Sequence, residues 1–287
     1  MCSVFWQQRK CWRARAQQET SDCWTRSRHW SGSAKISRAS AAIPTILRSS
    51  ANRQVRYVWT RCAEKLVGEQ ETQHHVTIDG YVLPDTPYNL RKTGVHNEEA
   101  VVHGYNAEES GPFILFSHAN LNNYEEKIRR WGGEYADDIM ALYNPSTDEE
   151  ADRYWSKIYG AIFFNYPHYC LNRLEQEKGV PSWEYLFTKD NGRLGSWHSG
   201  EMVYTFGVIP EDSGLYTEED RQLSITMHSY LVNFVKSGNP NSGTLSGFEQ
   251  SADSSKVMEF GAHTGMIEEP DLALYGILDR MYGWEKE

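Results

Sequence analysis

Three residues in this sequence have the types and positions that acid–base chemistry needs. Glu108 and Glu109 stand in a polar turn directly after the apolar run "AVVHGYN". Carboxylates at the carboxyl end of a sheet strand lie where open α/β sheets place their working groups. His198 stands in "GSWHSGEM", and imidazole is the side chain best suited to moving protons near neutral pH. A solvated glutamate pair and a structural histidine are the ordinary alternatives for these positions.

A metal site is the second chemistry to consider at His198. Glu201 follows at the i+3 spacing, which would place both side chains on one face of a starting helix. No second histidine or cysteine occurs at a matching spacing. The sequence therefore predicts no metal site, and nothing in it indicates a cofactor.

The elements that must position these residues alternate between strand and helix from about residue 76. The runs "HHVTIDGYVLPDTP", "EEAVVHGYNAEES" and "SWEYLFTK" contain strand-like segments, and helical spacing extends over 122–143, 147–179 and 217–238. The last helix has Thr217 as a predicted N-cap and Gly238 as its stop. Its apolar face is formed by Leu223, Met227, Tyr230, Leu231 and Phe234. This order predicts an α/β protein with a mainly parallel sheet.

Charge divides the chain into two unlike parts. Up to Arg61 the chain has 12 Lys and Arg but only two acidic residues. After Arg61 it has 17 Lys and Arg and 37 acidic residues, which gives the whole chain its net charge of −10. The basic part holds five of the ten tryptophans but has no apolar periodicity. A nucleic-acid-binding arm is one interpretation, because Arg contacts phosphates and Trp stacks on bases. A disordered tail is another, although disordered segments usually lack tryptophan.

The cysteines and the apolar runs indicate the cellular compartment of the protein. The five cysteines are far apart and form no CxxC pair, so free thiols in a reducing compartment are favoured over a disulfide framework. A cytoplasmic location is favoured on this ground alone. No run approaches the roughly 18 apolar residues of a membrane helix, and no apolar segment typical of a signal peptide follows the basic N-terminal residues.

Four motifs together resemble the type B carboxylesterases, the branch of the α/β-hydrolases that includes para-nitrobenzyl esterases and cholinesterases. They are "VTIDGYVLPDTP", "VVHGYNAEES", "GSWHSGEMVYTFG" and "YLVNFVKSGNPN", in that order over roughly 76–287. The resemblance places Glu109 at the family's catalytic acid and His198 at its catalytic histidine. One departure is Ser199, where the family often has glycine.

The resemblance implies the C-terminal portion of an α/β-hydrolase fold with an incomplete central sheet. It also implies a serine esterase with a Ser–Glu–His triad, a small-molecule carboxylic ester as substrate, no cofactor and no nucleic-acid partner. Chain order in this fold is Ser, then acid, then His, so the serine should lie upstream in a Gly-x-Ser-x-Gly elbow. The chain contains no such motif. An inactive fragment is therefore expected.

The genetic code suggests where the serine is encoded. Permitted codons for residues 1–56, read from the third base of each codon, can encode family-like sequence ending in G-(E/Q)-S-A-G, with the serine spanning the codons of Asn52 and Arg53. We therefore interpret 1–56 as an out-of-frame, non-native segment, 57–75 as a junction, and 76–287 as the C-terminal part of the esterase domain. On this hypothesis the native N-terminus is missing.

Three other classes of function remain open from the sequence. A non-catalytic esterase-like binding module is the main alternative, although it would have no chemical reason to keep both Glu109 and His198. A nucleic-acid binder acting through the basic N-terminal arm is the second. An esterase that uses Ser196 or Ser199 is the third, but these serines are too close to His198 in sequence to reach the far ring nitrogen in the usual way. Oligomeric state and the particular ester are not predicted.

Overall fold

The computed structural model describes residues 6–7, 78, 80–81, 83–95, 97–190, 192, 195–211, 214–245, 247–251 and 254–284. The segment interpreted as out of frame, 1–56, lies outside the described residues except for the backbone of 6–7. The whole junction 57–75 also lies outside them, as does part of the first strand-like run. In the part of that run that is described, 83–86 has no strand and a helix begins at Pro87.

A five-stranded sheet forms the centre of the described fold. Its order is β1 (Trp6–Gln7), β2 (Val101–Asn106), β3 (Ser182–Phe187), β4 (Lys256–Phe260) and β5 (Thr264–Glu268). Strands β2, β3 and β4 are mutually parallel, whereas the two outer pairs are antiparallel. The predicted parallel centre is confirmed, and the β4–β5 hairpin was not predicted.

Helices cover both faces of this sheet. They are α1 (Pro87–Lys92), α2 (Gly111–Ile114), α3 (Tyr124–Gly132), α4 (Ala136–Leu142), α5 (Asp148–Gly160), α6 (Tyr166–Glu177), α7 (Met202–Thr205), α8 (Glu218–Ser237) and α9 (Leu272–Tyr282). A 3-10 turn (Gly133–Tyr135) joins α3 to α4, and a π-helical segment (Ala161–Asn165) joins α5 to α6. None of the helices described is long and apolar enough to cross a membrane.

Helix α8 forms as its sequence predicts. The Thr217 hydroxyl oxygen accepts the Asp220 N–H, and the Asp220 carboxylate accepts the Thr217 N–H at 2.6 Å, which completes a capping box. Gly238 ends the helix with a φ of 73°, and its N–H donates to the Phe234 carbonyl at 2.7 Å. Glycine is suited to this left-handed position because it has no Cβ.

The other two predicted helices are each interrupted. The first breaks at Gly133, whose φ is 52°. The second widens into the π-helical segment directly before α6, whose second residue is Pro167. Proline has no N–H and its ring clashes with the carbonyl four residues earlier, here that of Phe163, so a wider turn relieves the conflict. Periodicity predicted both helical regions but not these breaks.

The sheet is buried on both faces at strands β2 and β3. The predicted apolar face of α8 is buried against Trp183, Tyr185 and Phe187 of β3. On the opposite face, His103 of β2 contacts His168 of α6. Strands β2 and β3 are therefore buried along their whole length, as expected for parallel strands between two helical layers.

Candidate active site

Glu109 lies in the turn that follows β2, with its side chain 8% exposed. Its Oε1 accepts the backbone N–H of Asn106, the last residue of β2, at 2.8 Å. The end of the strand therefore holds the carboxyl group directly. The neighbouring Glu108 has an exposed side chain. Of the two candidate glutamates, only Glu109 is turned into the protein.

His198 lies in a turn after β3, just before α7, and is 9% exposed. Its Nδ1 is hydrogen-bonded to Oε2 of Glu109 through a short contact that joins residues 89 positions apart. The two residues meet because β2 and β3 are parallel, so the segments that follow them leave from the same edge of the sheet. The structure thus brings together the acid and the histidine that the sequence singles out.

Backbone contacts hold the two loops side by side. Glu108 and Trp197 form a parallel bridge, and the Glu108 N–H donates to the Ser196 carbonyl at 3.4 Å. The Asn106 side chain donates to the Trp197 carbonyl at 2.7 Å. These bonds flank the Glu109–His198 pair, so its geometry depends on more than its own hydrogen bond.

Two phenylalanines pack edge-on against the imidazole of His198. Ring centroids lie 5.1 Å away for Phe113 of α2 and 5.2 Å away for Phe164 of the π-helical segment. Phe164 is buried, whereas Phe113 is 44% exposed. Apolar rings on these sides limit the imidazole's rotation and keep water from the carboxylate–histidine bond. Sequence reasoning missed both residues, because only the tertiary contact reveals their role.

The Glu201 side chain is directed at the end of β2. Its Oε2 accepts the Asn106 Nδ2–H at 2.6 Å, and the residue is 2% exposed. Burial, and after it the charge of Glu109, raises the pKa of Glu201 to about 8. Glu201 is therefore mostly neutral at pH 7. Within the described residues no group of three or more His, Cys, Asp or Glu side chains could hold a metal ion.

Ser199, the departure from the family pattern, has a left-handed backbone with a φ of 70°. This conformation favours glycine, and a serine there is strained. Glycine would adopt this backbone without strain. The next residue, Gly200, lacks a side chain for a different reason, since an added Cβ would lie 2.8 Å from Nε1 of Trp197.

A second histidine pair, which sequence reasoning missed, lies deeper in the core. Nδ1 of His103 on β2 and Nδ1 of His168 on α6 are 2.9 Å apart. Nε2 of His103 lies 3.2 Å from Asn172 Oδ1 and 3.1 Å from Ser182 Oγ. The available signal was the histidine inside the otherwise apolar run "AVVHGYN", where a buried polar group requires partners.

Comparison with known proteins identifies the family of the chain. The model of the carboxylesterase family matches residues 2–273, and the chain belongs to that family. It is 24% identical over 245 residues to carboxylesterase 3 of Homo sapiens, covering 69% of this chain and 42% of that protein. It is 25% identical over 202 residues to a fumonisin B1 esterase of Sphingopyxis macrogoltabida, covering 67% of this chain and 37% of that protein.

A third relative, carboxylesterase 1D of Rattus norvegicus, is 24% identical over 211 residues, covering 65% of this chain and 37% of that protein. The chain therefore spans about two fifths of the length of these relatives. Its mixed α/β architecture with an open sheet is that of a partial α/β-hydrolase fold.

Proposed function

We propose that this chain carries the acid and the base of a serine carboxylic ester hydrolase, without the nucleophile in the given reading frame. The hydrogen bond between Glu109 and His198 carries the proposal. It joins the two residues that match the family's triad positions, at the carboxyl edge of the parallel strands. Family membership supports a small-molecule carboxylic ester as the substrate.

The geometry divides the work between the two nitrogens of His198. Nδ1 faces the Glu109 carboxylate, which accepts a hydrogen bond, so the proton belongs on Nδ1 in the neutral ring. Nε2 is then the nitrogen that takes the proton of a serine hydroxyl and returns it to the leaving alcohol. Glu109 holds this tautomer and stabilises the imidazolium that forms during acyl transfer.

The nucleophile is proposed to be encoded in another frame. No Gly-x-Ser-x-Gly motif occurs in the chain, and the candidate codons are those of Asn52 and Arg53, which lie outside the described residues. Without a serine to form an acyl-enzyme, the base and acid alone give no covalent route to hydrolysis. We therefore expect no esterase turnover from the polypeptide as given.

The source DNA tests the reading frame. The third-base frame of codons 1–56 should encode G-(E/Q)-S-A-G across Asn52 and Arg53. Codons that cannot encode this elbow would refute the frame hypothesis. The measurement needs no folded protein and is independent of the triad assignment.

An esterase assay tests the triad. Hydrolysis of a para-nitrophenyl ester by the given chain should not exceed the buffer rate. A gene that restores the frame of 1–56, and that supplies at the 57–75 junction the strands missing from the central sheet, should be active. In that background His198→Ala or Glu109→Gln should lower kcat by about 10³-fold or more. The matched control is Glu108→Gln, which removes the neighbouring exposed carboxylate and should leave kcat unchanged. Full activity in restored His198→Ala would disprove the triad assignment.

A further inference from the structure

Asn106 is hydrogen-bonded both to Glu109 and to the loop that carries His198. It is the last residue of β2 and fully buried. Its backbone N–H donates to Oε1 of Glu109 at 2.8 Å. Its side-chain Nδ2 donates to the Trp197 carbonyl at 2.7 Å and to Oε2 of Glu201 at 2.6 Å. Both Nδ2 hydrogens are thus used by the histidine loop.

The two acceptor residues lie on either side of His198 in the sequence. Trp197 directly precedes it, and Glu201 follows three residues later at the start of α7. An amide anchored to a six-residue strand therefore determines how far the histidine turn stands from the end of β2. The Glu109 carboxyl group is held from that same strand end, so one residue fixes both partners relative to each other.

We propose that Asn106 and Glu201 form a clamp that positions His198 against Glu109. Asn106 is the positioning residue, and Glu201 is the acceptor that keeps the Asn106 amide turned toward the histidine loop. The value of the clamp for ester hydrolysis rests on the proposed function. Its effect on the geometry of His198 does not, and that effect can be measured in this chain without turnover.

Burial and bonding support this role over simple core filling. Asn106 Oδ1 is buried and has no hydrogen-bond partner among the described residues. A side chain needed only for packing would avoid an unsatisfied carbonyl, because an apolar residue of the same shape fills the space without that cost. The amide is explained by its two donated bonds.

Glu201 serves the clamp as a neutral acid. Its side chain is buried and faces the Asn106 amide, whereas Glu109 faces the imidazole. The direction of the Glu201 pKa, raised by burial and by Glu109, agrees with this assignment. A glutamine at this position offers the same acceptor oxygen without any charge, so it should replace Glu201 in the clamp.

The test observes the His198 ring directly. Protein labelled with ¹⁵N-histidine is studied at neutral pH by long-range ¹H–¹⁵N correlation, with His198→Gln used to assign the signals. In the parent chain His198 should show one tautomer, with the proton on Nδ1. In Asn106→Leu, which keeps the branched shape but removes the donors, the ring should average between tautomers. Its Nδ1 proton should exchange about tenfold faster, the effect of losing one hydrogen bond.

The matched control is Asn172→Leu. Asn172 is also fully buried, donates from Nδ2 to a buried glutamate, Glu184, and lies outside the site. This variant should lose stability while leaving the His198 signals unchanged. An unchanged His198 tautomer in folded Asn106→Leu would overturn the proposal, and so would an equal effect of Asn172→Leu.

A second pair of variants decides the question if Asn106→Leu does not fold. Glu201→Gln should leave the His198 spectrum as in the parent, whereas Glu201→Leu should mix the tautomers. Equal spectra for these two variants would contradict the clamp. Because none of these outcomes depends on hydrolysis, they separate a failure of the clamp from a failure of the proposed esterase function.

Discussion

Two histidine pairs are built on strand β2, and they differ in partner and place. His198 meets a carboxylate, Glu109, beyond the carboxyl end of the strand. His103 lies within the strand and meets another imidazole, that of His168, in the core. The exposed fraction is 9% for His198 and zero for His103. The first pair is slightly open to solvent, whereas the second is fully enclosed.

The partners of His103 determine its protonation. Asn172 Oδ1 can only accept, so Nε2 of His103 is the donor and its Nδ1 accepts from Nδ1 of His168. Burial lowers the pKa of His103 to about 3, and burial followed by the charge of His103 lowers that of His168 well below its ordinary value. Both rings are neutral hydrogen-bonding groups of the core.

The difference teaches that a buried histidine is not by itself evidence of catalysis. A neutral pair with amide and hydroxyl partners stabilises one tautomer and one packing arrangement. A histidine that faces a carboxylate can become cationic, because the opposite charge stabilises the imidazolium. His198 also lies at the edge of the parallel strands, where solvent reaches it, whereas the core pair is not reached by solvent.

The sharpest test of this comparison is the stability of two alanine variants. His103→Ala should lower the free energy of unfolding by about 3 kcal/mol, because it leaves a cavity and unpaired polar groups on His168 and Asn172. His198→Ala should cost only about 1–2 kcal/mol, since it removes the hydrogen bond to Glu109 at the edge of the sheet, where water can enter the space left by the ring. Urea titrations followed by circular dichroism measure both values. Equal losses would contradict the assignment of separate structural and catalytic roles.

The pH dependence of the first variant sharpens the comparison. Because the folded pKa of His103, about 3, lies below the unfolded value of about 6.5, only the unfolded chain binds this proton between those pH values. Proton binding favours the unfolded state, so the free energy of unfolding of the parent chain should fall as the pH falls. The penalty of His103→Ala should therefore shrink by about 1.6 kcal/mol between about pH 6.5 and 5. A penalty that grows toward acid would show that His103 is charged in the folded state.

Glu201 should give the opposite slope. Its folded pKa of about 8 exceeds the unfolded value, so the folded chain holds an extra proton, and this stability is lost as the pH rises toward 8. Glu201→Gln removes this proton linkage. Its free energy of unfolding, relative to that of the parent chain, should therefore rise by about 1.5 kcal/mol between about pH 6.5 and 8. Denaturant titrations at several pH values give the slope. Glu108→Gln, at an exposed site, should follow the parent, and a parallel response of both variants would argue against a protonated Glu201.

The smallest expected effect concerns the backbone at the histidine turn. Ser199→Gly should raise the free energy of unfolding by about 0.5–1 kcal/mol, because glycine adopts the observed φ of 70° without strain. Ser199→Ala should give no such gain, since alanine keeps the Cβ. Thermal unfolding compares the two variants with the parent. A gain in both would place the effect in the serine hydroxyl instead of the backbone.

Much of the fold was predictable because it rests on local rules. Helix α8 was predicted with its N-cap and its glycine stop, since capping and apolar periodicity lie within one segment. Strands β2 and β3 were also predicted, although their polar residues were not placed. Glu184 of β3 is buried beside Asn172 instead of facing water, because helices cover both faces of the sheet.

The candidate site divides in the same way. Glu109 and His198 were predicted because the motifs around them are local and keep the family's order. Asn106 and Phe164 were missed, because their role depends on residues far away in the sequence. Glu201 was considered only as a metal ligand, since i, i+3 spacing describes one helix face and not the strand end that the side chain meets.

By itself, the sequence determined the alternation of strands and helices, the ends of α8 and the family's motifs, and it singled out Glu109 and His198. These depend on short-range capping, periodicity and residue order. Only the tertiary structure decided that two loops 89 positions apart share a hydrogen bond, that Asn106 joins them, and that His103 belongs to the core. Such contacts arise from the parallel register of β2 and β3, which places distant segments at one edge while helical layers bury both faces.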